Sequence, residues 1–422
     1  MDNKNYIFDG CNLTELAAKY GTPLYVMSET SILERCQEIR KDFLEKYPNT
    51  RAVFASKAFQ TLEICRMVTK EGLGLDTVSG GEIYTAHKAK VPMENLYFHG
   101  NNKTLDEIKM AVDYKVGRIV VDNMYELNAL NEYAKEKKTK VKILFRITPG
   151  VDCHTHKFIT TGQLDSKFGI PLDQSVTNDY IKSALEMPNV ELMGFHFHVG
   201  SQLETNDSHI AALTIAINLI RDVKKVLGFE TKELNIGGGL GIHYVGDDKR
   251  VKVSEFLDPI MKELYSKCNK YGLSVPQLTI EPGRWIVGEA GATLYTVGSV
   301  KEIPGIRKYV GIDGGMTDNP RPGLYGAKYH AVIANKNDQP KNEKVTIAGK
   351  CCESTDILIW DIELPKVESG DILAVFSTGA YNYSMANNYN RIPRPAVVMV
   401  KDGKDRLIVK RETYEDLISR EI

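Results

Sequence analysis

The sequence predicts an α/β protein, a (β/α)8 TIM barrel, followed by a second, all-β domain. Between about residues 30 and 275, short apolar runs alternate with segments whose apolar residues recur at i, i+3 and i+4, the spacing of amphipathic helices. Eight such alternations are typical of a closed barrel; an open doubly wound sheet is the alternative, because periodicity alone does not show closure. After about residue 276, β-branched and aromatic runs interrupted by turn residues indicate a C-terminal β-sandwich or β-barrel.

Eight apolar runs supply the predicted barrel strands. They are RAVFAS, GLDTVS, LYFHG, RIVVD, KILFRI, LMGFHFH, ELNIGGG and QLTIEPG. The change in pattern places the barrel at 29–275 and the β-domain at 276–422. The first 28 residues contain the strand-like run PLYVM and are compatible with either domain.

The composition is that of an ordinary globular protein with reduced thiols. The chain has 422 residues, 42% apolar and 26% charged, enough for two domains with large cores. A formal net charge of −1 gives no bulk attraction to nucleic acid or to an anionic membrane. No apolar run reaches about 18 residues, and the N-terminus has no signal-peptide pattern. Seven scattered cysteines without a CxxC pair predict a reduced, cytoplasmic protein.

Polar residues collect at the carboxyl ends of the predicted strands. In a barrel these ends form the active-site face. The residues found there are Lys57, Asp76, His99, Arg146, His196, His198, Gly237, Gly238, Gly239, Glu281, Gly283 and Arg284. Ordinary strand ends carry only turn residues, so this set predicts a converging polar site.

Two of these strand ends have the composition of an anion site and of a buried acid. The run GGGLGI at 237–242 lets backbone N–H groups approach an anion, although a tight turn explains a glycine run more often. It has neither the P-loop pattern nor the GxGxxG spacing. Glu281 follows an apolar run, so we expect it to be partly buried and to need a partner. A protonated ring nitrogen would serve, and an internal pair with Arg284 is the simpler alternative.

The stretch GFHFHVGSQ alternates polar and apolar residues, so His196 and His198 face the same side of a strand. Two histidines on one face suit a zinc ion, but no Cys or carboxylate lies nearby at metal-ligand spacing. Hydrogen-bonded core histidines are an equal alternative. A ring stacked on a flat cofactor is the third.

The β-domain contributes a second group of candidates. Cys352 and Glu353 in GKCCESTD suit a proton donor beside a charge reader, although a lone cysteine is more often simply buried. Arg321 lies between two prolines in DGGMTDNPRPGLY, which suits carboxylate recognition, with a solvated loop arginine as the alternative. Tyr325 lies in the same loop, and Tyr381 in TGAYNYSM is a candidate phosphate ligand.

One cofactor requires most of these residues together. Lys57 can form an imine with an aldehyde, as pyridoxal phosphate requires. That cofactor also needs a phosphate nest, an acid at its pyridine nitrogen and a stacking group. The glycine run, Glu281 and His198 meet those three needs, which leaves Arg284 and Arg321 for a substrate carboxylate or the phosphate.

Ten motifs, in order along residues 5–415, resemble those of the diaminopimelate decarboxylases, which are fold-type III, alanine-racemase-like pyridoxal-phosphate enzymes. The motifs are FASKAF, LDTVSGGE, FHGNNK, THKFITTGQLDSKFGI, GFHFHVGSQ, NIGGGLGI, EPGR, DGGMTDNPRPGLY, CCESTDILIWD and TGAYNYSMANNYNRIPRP. Ten ordered motifs across both domains are highly specific. Two positions depart from the family pattern, His243 after GGGLGI and Gly323 in PRPGLY, and neither has an assigned role.

The resemblance implies decarboxylation of meso-2,6-diaminopimelate to L-lysine and carbon dioxide, the last step of lysine biosynthesis, by a homodimer with shared active sites and no metal. It implies that residues 1–28 join the β-domain. The implied catalytic residues are Lys57, His198 and Cys352. The implied cofactor-binding residues are Lys57, Asp76, His198, Ser201, Gly238, Gly239, Glu281, Gly283, Arg284 and Tyr381. The implied substrate-binding residues are Arg284, Arg321, Tyr325, Glu353 and Tyr381. Burial and the nearby Glu353 are expected to raise the pKa of the Cys352 thiol, the proton donor.

Three alternatives accompany this interpretation. A decarboxylase of the same fold could act on ornithine, arginine, lysine or carboxynorspermidine, although the CxESTD pattern argues against ornithine. A non-catalytic partner protein would usually lose the lysine or the Cys-Glu pair, and both are present. A zinc hydrolase using Asp76, His196 and His198 lacks a third histidine or a bridging acid at usable spacing.

Overall fold

The structure is a computed structural model that describes residues 4–151, 166–246 and 250–422. The chain divides into two compact units. The barrel unit comprises Arg35–Gly241 and Lys249–Trp285, and the β unit comprises Met1–Glu34, Ile242–Asp248 and Ile286–Ile422. Most of the motif at 155–170 lies outside the described residues, as does Cys153.

The secondary-structure elements are numbered along the chain. The strands are β1 Ile7–Phe8, β2 Cys11–Asn12, β3 Leu24–Ser28, β4 Thr50–Ala55, β5 Gly74–Thr77, β6 Leu96–Phe98, β7 Arg118–Val121, β8 Val141–Arg146, β9 Val190–His196, β10 Glu233–Asn235, β11 Gln277–Ile280, β12 Gly291–Ile303, β13 Arg307–Ile312, β14 Ala331–Ile333, β15 Glu343–Ala348, β16 Ile357–Leu364, β17 Ile372–Phe376, β18 Ala396–Lys401 and β19 Lys404–Val409. The helices are α1 Leu13–Tyr20, α2 Glu29–Ile39, α3 Leu62–Lys70, α4 Gly80–Lys88, α5 Leu105–Asp113, α6 Met124–Glu136, α7 Gln174–Glu186, α8 Asp207–Leu227, α9 Val253–Tyr271, α10 Arg284–Val287, α11 Arg321–Tyr325 and α12 Tyr414–Ile418.

Strands β4 to β11 form a closed, all-parallel barrel in the order β10-β11-β4-β5-β6-β7-β8-β9. Closure is made where β11 pairs with β4, with Ile280 opposite Ala52. The predicted barrel is therefore confirmed over the open sheet, and all eight predicted strands are found. The barrel continues past the predicted boundary at 275, because its last strand, β11, begins at Gln277 and needs both neighbours to close the ring.

Side chains fill the barrel interior, and N-capping residues stabilise the first turns of several surrounding helices. Val53, Tyr97, Val120 and Leu144 form an inner cluster with no exposed surface, so the interior is a packed core and not a pore. Several helices begin where a short polar side chain accepts a hydrogen bond from a first-turn N–H. These capping residues are Thr61, Ser79, Thr104, Asn123 and Asp173.

The β unit contains a nine-stranded sheet with the path β16-β15-β13-β12-β3-β18-β19, to which β17 and β14 are added beside β12. The predicted mostly-β second domain is thus confirmed. The N-terminal strand β3 lies between β12 and β18. It is wholly buried because both of its faces and both of its edges are covered. Its core cluster includes Leu24, Val26, Leu294 and Val398.

Within the described residues, no helix combines the length and the apolar character that crossing a membrane requires. The six cysteines in those residues carry free thiols.

Candidate active site

Lys57 lies at the carboxyl end of β4, in a single 3-10 turn of Ser56–Ala58. Its neighbours Ser56 and Ala58 have no exposed surface, whereas Lys57 itself is exposed. Its positive charge favours the ionised form of Asp76 and disfavours protonation of His198. The lysine is therefore placed at the face of the barrel where the predicted polar residues converge.

A buried carboxylate forms the centre of this face. Oε1 of Glu281 accepts a 2.7 Å hydrogen bond from Nδ2 of Asn235 and lies 2.8 Å from Nε2 of His99. Oε2 of Glu281 lies 3.3 Å from Nε2 of His196. All four side chains are at most 7% exposed. The expected partial burial of Glu281 is thus observed, and three partners from three strand ends hold its carboxylate.

The electrostatics of the cluster favour an ionised Glu281. Burial alone would raise the pKa of Glu281, but His99 and His196 outweigh it and hold that pKa well below the usual value. Burial alone would lower the pKa of His99, but the carboxylates of Glu281 and Asp76 raise it above the usual value. Asp76, 3.6 Å from His99, has a raised pKa because burial dominates. His196 differs, because burial lowers its pKa to about 3.

His198 is a neutral ring. Burial first, and then the charges of Lys57 and Arg146, hold its pKa well below the usual value. Its Nδ1 accepts a 3.3 Å hydrogen bond from the N–H of Gly238, which fixes this nitrogen as the acceptor. An uncharged imidazole with a fixed tautomer presents a flat face, which suits packing against an aromatic cofactor.

The glycine run is required by close backbone approach. A Cβ on Gly238 would lie 2.1 Å from the carbonyl oxygen of Glu281, and one on Gly239 would lie 2.6 Å from that of Gly200. Gly239 also has φ of +118°, which L side chains rarely adopt. The run therefore brings bare backbone beside Glu281 and Ser201, a cradle that a side chain would fill.

The EPGR turn joins this cradle. A Cβ on Gly283 would lie 2.8 Å from Cβ of Ala55, the last residue of β4, so the turn packs directly beside the Lys57 strand end. Nη2 of Arg284 donates a 3.1 Å hydrogen bond to Oγ of Ser201. A guanidinium, a hydroxyl and a glycine-rich backbone are the groups that bind a phosphate in proteins. The barrel residues thus fit pyridoxal phosphate, with an acid, a flat ring, a lysine and a phosphate cradle.

The β unit contains the substrate-side candidates, which are described here by themselves. Arg321 begins α11 and is 8% exposed. Its Nη1 donates to the hydroxyls of Tyr329, at 2.5 Å, and Tyr244, at 3.2 Å, and its guanidinium lies over both rings. Arg321 is therefore not a solvated loop arginine but a clamped one. Tyr325 ends α11 and is half-buried.

The turn between β15 and β16 carries the two neighbouring cysteines, Cys351 and Cys352. Cys352 is exposed in this chain, whereas the preceding Cys351 is buried. The reason is Asp356, whose Oδ2 accepts the N–H of Cys351 at 2.9 Å and holds that residue inward, so that Cys352 faces out. Within its own chain, Cys352 is therefore open to solvent. Glu353 accepts from the backbone and hydroxyl of Thr355, which lower the Glu353 pKa.

Some participants carried no clear signal in the sequence. Asn235 was not predicted, because an asparagine inside a strand has no motif of its own. His99 was seen at a strand end, but its pairing with Glu281 was not predicted. Tyr244 and Tyr329 were missed because no motif marks them; Tyr244 lies 77 residues from Arg321, and Tyr329 lies eight residues from it. Tyr381 was predicted, and it lies half-buried with φ of +62°.

The zinc alternative has a partial counterpart in the structure. Ligand atoms of His99, His196 and Glu281 all lie within 4.8 Å of one another. This group differs from the predicted set of Asp76, His196 and His198. Its atoms already face each other as hydrogen-bonding and ion-pairing partners, which accounts for their spacing.

Comparison with known proteins identifies the barrel unit's relatives. Residues 29–288 match the family described as pyridoxal-dependent decarboxylase, pyridoxal binding domain. The diaminopimelate decarboxylase of Bacillus subtilis is 48% identical over 413 residues, which cover 98% of this chain and 94% of that protein.

Solved structures show the same likeness over the whole chain. Diaminopimelate decarboxylase from M. jannaschii, in complex with L-lysine, has a TM-score of 0.93 and 39% identity, covering 100% of this chain and 97% of the other. The lysine/ornithine decarboxylase of Vibrio vulnificus, complexed with putrescine, has a TM-score of 0.78 at 23% identity, covering 92% and 98% of the two chains. The second likeness shows a shared fold alone.

Proposed function

Because this chain belongs to the diaminopimelate decarboxylase family of pyridoxal-dependent enzymes, we propose that it converts meso-2,6-diaminopimelate to L-lysine and carbon dioxide. This is the terminal step of lysine biosynthesis. The resemblance seen in the sequence is confirmed by relatives such as the Bacillus subtilis enzyme, which is 48% identical over 98% of this chain. The enzyme is a carboxy-lyase that uses pyridoxal phosphate.

The observation that carries this function is the Glu281 carboxylate, held ionised inside the barrel by His99, His196 and Asn235. Pyridoxal phosphate, when bound, supplies a protonated pyridine ring that accepts the electron pair left when carbon dioxide departs. A fixed, ionised carboxylate is what keeps a proton on a ring nitrogen. Glu281 would provide it.

The other barrel residues bind and orient. Lys57 would anchor the cofactor aldehyde covalently. His198, neutral and flat, would pack against the ring. Asp76, Ser201, Gly238, Gly239, Gly283 and Arg284 would line the cofactor cradle, with Tyr381 as a further phosphate ligand. The geometry of the barrel unit supports the barrel residues of this set, since Arg284 and Ser201 share a hydrogen bond there.

The β-unit residues would recognise the far end of the substrate. Arg321, whose guanidinium contacts two tyrosines, would pair with the distal carboxylate, and Tyr325 and Tyr381 would also bind the substrate, as would Arg284 of the barrel unit. Glu353 would bind the distal amino group. Cys352 would deliver a proton to the carbon from which carbon dioxide has left.

The exposure of Cys352 supports a homodimer with shared sites. A thiol that protonates a reactive carbon has to be shielded from water, and in its own chain Cys352 is open to solvent. A second subunit would supply both the cover and the reaction centre. The free thiols in the described residues support a reducing compartment, in line with the predicted cytoplasmic location.

The direct test measures cofactor absorbance and lysine release on the purified protein. With pyridoxal phosphate added, we expect a visible absorbance band that Lys57→Ala loses and that the control Lys70→Ala, at an exposed helix end, keeps. Incubation with meso-diaminopimelate should release lysine and carbon dioxide. Carbon dioxide release from ornithine, arginine, lysine or carboxynorspermidine instead would show that the enzyme is a decarboxylase of the same fold with a different substrate. The absence of an absorbance band would refute the cofactor assignment.

Shared sites are tested by mixing two inactive variants. Lys57→Ala and Cys352→Ala disable different parts of the site, so co-refolded mixtures should regain part of the activity if each site uses both subunits. Mixtures that stay inactive while light scattering shows dimers would place Cys352 in its own subunit's site. A monomeric active enzyme would refute the dimer.

A further inference from the structure

The end of the barrel opposite Lys57 contains a cavity lined in part by Arg51, a half-buried arginine with one buried guanidinium nitrogen. The cavity has a volume of about 210 Å³ and is lined by Leu44, Thr50, Arg51, Ala52, Gly72, Gly74 and Asn95. Apart from Leu44, which ends the helical turn Arg40–Leu44, these residues lie at the amino ends of β4 and β5 or just before β5 and β6. Lys57 and His99 follow the carboxyl ends of β4 and β6, and Asp76 lies near the carboxyl end of β5, so this cavity is separate from the catalytic face.

Arg51 has an unsatisfied donor there. Its Nη1 is buried, and none of residues 4–151, 166–246 and 250–422 accepts a hydrogen bond from it. Nor does Arg51 form an ion pair with any of them at 4.0 Å or less. A guanidinium is always charged and offers five donors, so a buried, unpaired N–H on it is costly unless a ligand or water accepts it.

The acid inside this part of the barrel is already engaged. Oε2 of Glu233 accepts from Nε of Arg118 at 2.7 Å. Oε1 of Glu233 accepts from the hydroxyl of Tyr97 and, at 3.3 Å, from that of Thr279. Both carboxylate oxygens are therefore occupied by other donors, while Arg51 is near enough for its charge to act on the Tyr97 phenol.

Two glycines, Gly72 and Gly74, line the cavity. A Cβ on Gly74 would lie 2.2 Å from the carbonyl oxygen of Asn95 and 2.8 Å from Cγ1 of Val53. A Cβ on Gly72 would meet nothing within 4 Å. At about 210 Å³ the cavity is smaller than the roughly 300–1,000 Å³ of a typical drug-sized pocket, so it suits a compact ligand.

We propose that the amino end of the barrel is a binding site for a small oxyanion or carboxylate, centred on the guanidinium of Arg51. Two parallel N–H···O bonds from one guanidinium match the geometry of both anions. Thr50 contributes little, because its hydroxyl already donates to the carbonyl oxygen of Tyr47 at 2.9 Å. The site goes beyond the decarboxylase activity and uses none of its residues.

The test measures the thermal unfolding midpoint (Tm) of the purified, cofactor-loaded protein, in whichever oligomeric state it has. The Tm is compared in sodium phosphate, sodium acetate and sodium chloride at equal ionic strength. Full cofactor loading, followed by the absorbance band, keeps the added anion out of the phosphate cradle at the other face. We expect phosphate or acetate to raise the Tm by about 2–4 °C over chloride through binding to the folded state.

Variants assign the effect to Arg51. Arg51→Met should abolish the anion-dependent rise in Tm. Arg51→Lys keeps the positive charge but loses the two parallel N–H donors of the guanidinium, so it should reduce that rise. The control Arg66→Met lies on α3 with a side chain 52% exposed and should keep the full rise. No anion-dependent rise in the wild type, or an undiminished rise in both Arg51 variants, would overturn the proposal. Arg51→Lys keeps the test decisive if Arg51→Met does not fold.

Discussion

Nε2 of His99 lies 2.8 Å from Oε1 of Glu281, and both side chains are buried. The pKa of His99 is raised and that of Glu281 is lowered, so each group stabilises the charged form of the other. Asp76, 3.6 Å from the same nitrogen, adds to the rise in the His99 pKa. The pair places a histidine whose protonated form is favoured behind the carboxylate that the cofactor ring would meet.

His99→Gln should weaken the enzyme without unfolding it. Glutamine retains a hydrogen-bond donor but not the positive charge, so the pKa of Glu281 should rise and the acid should hold a ring proton less well. Loss of a charged hydrogen bond of about 1.5–3 kcal/mol corresponds to roughly a 10–100-fold lower kcat.

The measurement is kcat against pH, with cofactor affinity from absorbance. We expect the acid limb of the kcat profile to move to higher pH in His99→Gln. His87→Gln, on an exposed helix position stacked on Tyr114, is the matched control and should leave the profile unchanged. An unmoved acid limb would mean that His99 only packs.

Tyr329→Phe should raise KM for the substrate more than it lowers kcat. The change removes the hydroxyl that accepts Nη1 of Arg321 at 2.5 Å, so the guanidinium should lose its fixed direction. One hydrogen bond to a charged group predicts a rise in KM of roughly tenfold. Steady-state kinetics on meso-diaminopimelate measures it, with Tyr414→Phe, 75% exposed, as the control. Equal KM values in both variants would contradict a positioning role.

Gly238→Ala should both destabilise the barrel and impair cofactor binding. The new Cβ would lie 2.1 Å from the Glu281 carbonyl oxygen, and backbone has to shift to relieve the contact. Overpacking of this kind costs about 1–3 kcal/mol in the free energy of unfolding. Urea unfolding and cofactor titration test it. Gly298→Ala, whose Cβ would meet Gly311 at 3.7 Å, should change neither. Unchanged cofactor affinity in Gly238→Ala would show that the glycine run at 237–239 does not form part of the cofactor-binding site.

Glu82 should make stability fall as pH rises. Burial raises its pKa from 4.5 to about 7, so the folded protein holds this proton more tightly than the unfolded chain does. Its contribution to the unfolding free energy is therefore greatest below pH 4.5 and is lost as pH rises through about 7.

Glu82→Gln has no such proton to lose. As pH rises from 4.5 to about 7, the wild type should lose unfolding free energy that the variant keeps. The variant's unfolding free energy relative to the wild type should therefore rise by about 1–3 kcal/mol over that range, after allowance for the partial solvent contact of Glu82. Urea unfolding of both proteins at several pH values gives the difference. A difference that does not vary with pH would contradict the raised pKa.

Much of the fold could be predicted because its signals are local. Alternating helical and strand periodicity reports which face of each element is buried, and eight repeats of it left few architectures to consider. The barrel face could be predicted for the same reason, since Lys57, His198 and Glu281 each directly follow or end an apolar run. What the pattern could not show was closure, which depends on the pairing of β11 with β4.

The sequence by itself determined the order of strands and helices, the residues at the barrel's catalytic face and, through ten motifs, the family. Only the tertiary structure decided which side chains contact each other: His99 and Asn235 contact Glu281, and two tyrosines contact Arg321. It also decided that Cys352 faces solvent. The physical reason is distance along the chain. Periodicity reports each residue's own environment, whereas an ion pair or a clamp needs groups that only the closed barrel and the completed sheet bring within a few ångströms.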